Sequence, residues 1–284
     1  YDATAIEHCL RFQGSTKVVI SNNYLYKPAT SKNTVTIRGR SVYATPSTWS
    51  GVWVEHVIVS DNVIDCGSTL GPATPVQFAP QNTGSDERIR DVICERNWIG
   101  GNAGTLISSE VCHRITIRNN ILYTAATATY GAAAIDVIWR NTVGTPAGDS
   151  TYIYNNVCYQ PTGSSAQFSF LSISKDGTAD FPTGTVARNN LVYAPYATKN
   201  AGNSGSAPTF LYTGATSGYY TLSNNSSDAQ IKSTAPGFTT PPTTYADWKA
   251  ATGYSIDGGT YTAVFDDFNG AARTGTPDMG AVNP

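Results

Sequence analysis

Charge is scarce in this sequence. Its 284 residues carry 18 Lys and Arg against 20 Asp and Glu, a formal net charge of −2. Without a basic excess, nucleic acid is not an expected partner. Long apolar runs are also missing. Nowhere do about 18 apolar residues follow one another, so no membrane span is expected. No secretory leader is visible, and Tyr1 opens directly on what reads as core strand, as expected of a processed chain. Cysteine is sparse and odd in number: Cys9, Cys66, Cys94, Cys112 and Cys158. An odd count excludes complete internal pairing, and no CxxC spacing points to a metal or redox centre. These thiols read as small buried hydrophobes.

Ser, Thr, Asn and Gly are abundant, together with 17 Tyr. Many polar side chains with little charge suit an extracellular β protein that touches neutral, hydroxyl-rich ligands. A phrase recurs in this background: KVVISNNYLYK, RITIRNNILYT, TYIYNNVCYQ and TVARNNLVYA. With the last Asn as marker, the series is Asn23, Asn62, Asn97, Asn120, Asn156, Asn190 and, more weakly, Asn225. The spacings are 39, 35, 23, 36, 34 and 35 residues. The shortest is about one minimal coil of a β-solenoid; the others add a long loop.

The columns support this reading. Three residues before the marker stand Ile20, Val59, Cys94, Ile117, Ile153 and Ala187, all apolar. Two before it stand Ser21, Ser60, Glu95, Arg118, Tyr154 and Arg188, mostly polar. This is the two-residue alternation of a strand with one buried face. Two after the marker the chain is apolar again, so a tight turn at the Asn separates successive strands. Asn tolerates left-handed backbone angles there, and stacked Asn side chains can hydrogen-bond as a ladder. The register places Glu95 beside Arg118 and Asp61 beside Arg96 on adjacent coils. A hairpin meander would put partners about 10 residues away, not 35.

A further strand precedes most phrases: Ala5 to Phe12, Thr34 to Val42, Pro75 to Ala79, Thr105 to Val111, Ala133 to Trp139 and Gln167 to Lys175. The segments from these strands to the Asn phrases vary most in length, and long variable loops on one face of a rigid solenoid are where a groove is built. The predicted fold is all-β: a right-handed parallel β-helix of about seven coils with an Asn ladder. Residues 1–194 form the coils. Residues 195–284 form the last coil or coils and a C-terminal cap within the same domain. In that tail, TTYADWKAATG reads as a short helix with Thr244 as N-cap and Gly253 as stop. Arg273 with Asp266, Asp267 and Asp278 forms a candidate ion-pair network.

The xVxIxxNxI phrase resembles secreted bacterial right-handed parallel β-helix proteins of the pectate-lyase-like superfamily. The tail is similar to a segment common among them, W-x-x-x-T-G at Trp248 to Gly253 followed by D-x-G-A at Asp278 to Ala281. The resemblance covers residues 5–284. It implies a polysaccharide partner, a secreted or cell-surface location, and N-terminal coils or a cap that would precede this chain. It also leaves room for a homo-oligomer. It carries no single activity, because the superfamily holds lyases, hydrolases, epimerases, tailspike depolymerases and noncatalytic surface proteins. The Asp-rich calcium clusters of pectate lyases and the paired-Asp signature of polygalacturonases are not matched.

Two reactions suit a glycan groove. Hydrolysis needs two carboxylates, and Glu110 and Asp136 lie on successive groove strands. Elimination from a uronate needs a cation for the carboxylate, a base and an acid. Arg38, Arg40, Arg140, Lys175 and His8 are the candidates on that side. Gln77, Gln81, Trp53 and Trp139 are the expected substrate contacts. Trp49, Phe78, Phe168 and Phe170 could also stack on sugars, or pack in the core. No cofactor is required, although the polar loop Pro80 to Val92 could hold Ca2+ with oxygen ligands. His56 and His113 are too isolated to suggest a transition-metal site. The rival reading is a noncatalytic glycan-binding surface or virion module.

Overall fold

A computed structural model describes residues 8–26, 32–39, 53–67, 74–80, 88–101, 105–124, 133–139, 149–160, 167–176, 179–198 and 207–233. It also describes 255–257, 266, 268–272 and 278–280 of the tail. The chain is a right-handed parallel β-helix with three sheets. The first holds Leu10–Gln13, Val35–Arg38, Val76–Ala79, Ile107–Glu110, Ala133–Trp139, Ser169–Lys175 and Thr209–Thr213. The second holds Thr16–Ser21, Trp53–Ser60, Arg88–Glu95, Cys112–Arg118, Thr151–Tyr154, Thr185–Arg188 and Tyr220–Ser223. The third holds Tyr24–Tyr26, Val63–Asp65, Trp98–Gly101, Ile121–Thr124, Val157–Tyr159 and Leu191–Tyr193.

The first six coils visit the three sheets in turn and the seventh the first two, so every strand pairs with its counterpart one coil away. Inward side chains therefore stack in columns. Leu10, Val35, Val76, Ile107, Ile135, Leu171 and Leu211 form one. Ile20, Val59, Cys94, Ile117, Ile153 and Ala187 form another and are buried. Complete burial of one such side chain contributes about 1.5–3 kcal/mol, and the columns repeat that gain at every coil. The strand expected at Ala5 to Phe12 is observed as Leu10–Gln13, with His8 and Cys9 outside it; residues 5–7 lie outside the described residues.

The Asn ladder runs through all seven coils. Each marker's Oδ1 accepts from the backbone N–H and from Nδ2 of the preceding marker. The Nδ2–Oδ1 distances run from Asn23–Asn62 at 3.0 Å to Asn190–Asn225 at 2.8 Å. From Asn62 onward, Nδ2 also donates to a backbone carbonyl of the previous coil, as Asn120 does to Cys94 at 2.9 Å. The left-handed angle, however, falls one residue before the marker. Asn22, Asp61, Arg96, Asn119, Asn155, Asn189 and Asn224 have φ between 49° and 58°. The Asn-Asn pair thus divides its work: the first residue bends the chain and the second builds the ladder.

A second left-handed column lies six residues before the marker: Lys17, His56, Asp91, Arg114, Ser150 and Gly184. These residues interrupt the pairing register, with Glu55 opposite Arg90 and Val57 opposite Val92. They bend the strands Thr16–Ser21, Trp53–Ser60, Arg88–Glu95 and Cys112–Arg118, and stand just before Thr151–Tyr154 and Thr185–Arg188.

The last coil is closed by the helix Asp228–Ser233. Ser227 starts it with a capping box: Gln230 N–H donates to Ser227 Oγ at 3.4 Å and Ser227 N–H to Gln230 Oε1 at 2.8 Å. Ile231 is buried against the end of the core, and its carbonyl accepts from Ala194 N–H at 2.7 Å. The helix expected at Thr243 to Gly253 lies outside the described residues, as do Asp267 and Arg273. Part of the tail packs on the flank of the solenoid. Phe268 covers Trp98, Ile121, Val157, Tyr159 and Leu191 on the outer face of the third sheet. Asp266 binds Arg96 at 2.8 Å, which ties the tail to the third coil.

Candidate functional site

The outer face of the first sheet carries the polar residues singled out above. Alternation sends two columns outward. One is Arg11, Thr36, Gln77, Ser108, Asp136, Ser172 and Tyr212. The other includes Gln13, Arg38 and Ala79, and then Glu110, Ile138 and Ser174. Thr36, Ser108, Ser172 and Glu110 are buried although they belong to outward columns. This face is therefore recessed there, while Gln77, Asp136 and Arg38 stay partly open.

One hydrogen-bonded network occupies coils two to four. Arg38 Nη2 donates to Gln77 Oε1 at 2.8 Å, and its Nη1 to the Pro80 carbonyl at 2.7 Å. Asn33 Nδ2 also donates to Gln77 Oε1. With cationic and amide donors on its oxygen, the Gln77 amide must turn its NH2 the other way. That group donates to Glu110 Oε1 at 2.7 Å, and Ser108 Oγ adds a bond of 3.3 Å to the same oxygen. Gln77 thus couples Arg38 to Glu110 across two coil steps.

Glu110 and Asp136 share the face but not a column. Asp136 stands opposite Ser108, and Glu110 opposite Ile138. One coil step of about 4.8 Å and two residues along the strand separate their Cα atoms by about 8 Å. The Asp136 carboxylate accepts from Ser174 Oγ at 3.5 Å. Beside Glu110, coil four turns from first to second sheet through Val111 alone. This buried, β-branched residue has φ 57°, a conformation that costs roughly 1–3 kcal/mol for such a side chain. Glu110 therefore ends its strand at a rigid, strained corner.

The other candidates are distributed as follows. His8 donates from Nδ1 to the Asn33 carbonyl at 3.1 Å. Burial lowers its pKa; the Asn33 bond opposes this, and Arg11, Arg38 and Lys32 lower it further. Lys175 is exposed, with Nζ 5.1 Å from the Phe181 ring, and lies opposite Trp139. Trp53 is half-buried beneath Arg90, whose guanidinium lies 4.5 Å from the ring centroid. Trp139 is buried with Val111 and Ala179, which makes it a wall rather than an open platform. Phe78, Phe168 and Phe170 are core residues. Arg40, Arg140, Gln81 and Trp49 lie outside the described residues, as do Asp86 and Glu87 of the polar loop. Among the described residues no group of three or more His, Cys, Asp or Glu is arranged to hold a metal ion.

Two contributions escaped sequence reasoning. Asn33 lies outside every Asn phrase, and its role depends on the fold bringing it to Gln77. His113 belongs to a corner cluster: its Nδ1 meets Asp149 at 3.0 Å. Trp53 and Trp139 approach the imidazole edge-on at 5.1 and 5.7 Å. His113 and Asp149 both stand seven residues before their markers, and extending the columns that far would have found them. Comparison with protein-family models and with curated proteins returns no match.

Proposed function

We propose that this chain is an extracellular polysaccharide-active protein of the pectate-lyase-like superfamily that binds a glycan along the outer face of the first sheet and hydrolyses it with Glu110 and Asp136. The observation that carries the reading is the diagonal placement of these carboxyl groups, one coil and two residues apart on one recessed face. Their Cα atoms stand about 8 Å apart across one coil step and two residues; an inverting hydrolase needs its two carboxyl groups roughly 6.5–9.5 Å apart, a separation that side chains rooted at this spacing can span. In that arrangement one carboxyl protonates the leaving oxygen and the other activates the water, with inversion at the anomeric carbon. The Gln77 and Ser108 donors hold Glu110 in place.

Among the described residues, the placement of the cations favours hydrolysis over elimination. Arg38 is engaged by Gln77 and Pro80, and Lys175 stands two coils from Glu110. The low charge and the many Tyr, Ser, Thr and Asn residues support a secreted protein that meets hydroxyl-rich ligands. The test is a panel of acidic and neutral polysaccharides, followed by reducing-end assay and by the ultraviolet absorbance of unsaturated ends. Reducing ends without absorbance, abolished by Glu110→Gln and Asp136→Asn, is the expected result. Absorbance with reducing ends would make the protein a lyase. Binding without either would make it a noncatalytic glycan-binding module.

A further inference from the structure

On the outer face of the second sheet, the column two residues before the markers reads Ser21, Ser60, Glu95, Arg118, Tyr154, Arg188 and Ser223. It holds two cations and one anion. Glu95 is taken by Arg118 at 2.6 Å and by Arg96 at 2.9 Å. The neighbouring arginines on this face are satisfied too: Arg90 by Glu55 at 2.6 Å and Arg114 by Asp91 at 2.7 Å. Among the described residues, Arg188 forms no ion pair, and its Nε is buried with no hydrogen-bond partner. A cationic N–H without an acceptor is costly, and the Arg188 side chain as a whole is only partly buried, so its guanidinium keeps an open edge at which an external anion can supply the missing charge partner.

The surroundings indicate which anion. Tyr154 stands directly opposite Arg188 on the preceding coil, and its ring pairs with Tyr152 at 5.8 Å in a tilted arrangement. The two tyrosines are partly open on the same outer face. A planar fork of N–H donors beside aromatic faces matches an oxyanion carried on a sugar ring: the fork takes the charged oxygens and the ring lies on the tyrosine.

We propose that Arg188, Tyr154 and Tyr152 form a subsite for an acidic sugar, of the uronate or sulfated class, on the outer face of the second sheet. This goes beyond the hydrolysis proposed for the first sheet and stands whether or not that face is catalytic.

Calorimetric titration tests it on the Glu110→Gln protein, so that no ligand is cut. The probes are an oligo-uronide, a sulfated oligosaccharide, a neutral oligosaccharide of equal length and inorganic sulfate. Adding Arg188→Met should weaken one of the two acidic oligosaccharides at least tenfold and leave the neutral one unchanged; which acidic probe responds identifies the oxyanion. Arg188→Lys should restore part of the loss, because charge returns without the fork. The melting temperature should be maintained or raised by Arg188→Met, since an unsatisfied buried N–H is removed. Unchanged affinity for both acidic probes would overturn the proposal. So would a melting temperature several degrees lower in Arg188→Met, or inorganic sulfate binding as tightly as the acidic oligosaccharides. Failure here with cleavage by the Glu110 parent intact would remove only the subsite.

Discussion

Arg118 lies directly opposite Glu95 on the adjacent coil, with Nε 2.6 Å from Oε2. Asp61 and Arg96 repeat the relation one coil earlier with two parallel bonds, 2.8 and 3.0 Å. Two charge pairs, each within a single column, confirm the register that the Asn markers define.

The ladder should govern stability. Asn120 uses both lone pairs and both N–H groups of its amide, on Asn97, Cys94 and Asn156. Asn120→Ala leaves the buried Asn97 N–H and Cys94 carbonyl without their partners, at about 1–3 kcal/mol each. The melting temperature should fall by several degrees, with glycan affinity changed less than twofold in titration. An unchanged melting temperature would show that the ladder is not a stabilising element.

The bend column offers a comparison of opposite sign. Gly184 has φ 67° and Ser150, one coil earlier, φ 58°. A Cβ on Gly184 would also meet Ser150 N at 3.2 Å. Gly184→Ala should destabilise by about 1–2 kcal/mol, whereas Ser150→Gly should be neutral or slightly stabilising. Denaturant melts of the two variants decide the sign.

Acid should weaken two corners, the one between the second and third sheets at Asp61 and the one within the second sheet at Asp91. Burial raises the Asp61 carboxyl pKa, but the Arg96 bond and charge and the Ser60 bond outweigh it, so the folded pKa is lowered. At Asp91 the Arg114 bond is the main cause of a lowered pKa. A group depressed in the folded state stabilises fully above the unfolded value, near 3.8, and loses that contribution as pH falls through the folded value. Melting temperature should therefore decline below about pH 4. The decline should be shallower in Arg96→Met and in Arg114→Met.

The thiols should be graded by burial. Burial pushes Cys66, Cys94 and Cys112 up to about 12, and raises Cys158 as well. Thiolate is the reactive form, so these four should resist alkylation at neutral pH until the protein unfolds. Cys9 is less buried and should label first. Mass spectrometry of the alkylated chain gives the order.

Gln77 provides a test of the catalytic reading. Gln77→Glu would place a second carboxyl where an amide now donates to Glu110 at 2.7 Å. Like charges at that distance repel, so Gln77→Glu should lower the cleavage rate further than Gln77→Leu, which only removes the donor to Glu110.

The sequence by itself determined the coil. Alternation sorted inward from outward residues, and the Asn markers set which coil lies on which, because parallel stacking repeats one local pattern at a fixed axial step. The sequence also brought Glu110, Asp136, Arg38 and Gln77 to one face. Only the tertiary structure decided what those side chains touch. Glu110 and Asp136 were expected as a pair; that they sit on a diagonal depends on pairing Glu110 with Ile138, which variable loops hide from any count of residues. The turn of the Gln77 amide depends on Asn33, 44 residues away. Arg188 reads like Arg118 in sequence, each two residues before its marker. Only stacking shows that Arg118 has Glu95 on the neighbouring coil while Arg188 has Tyr154. A column's residues follow from local periodicity, but the partner of each charge is set by the coil beside it.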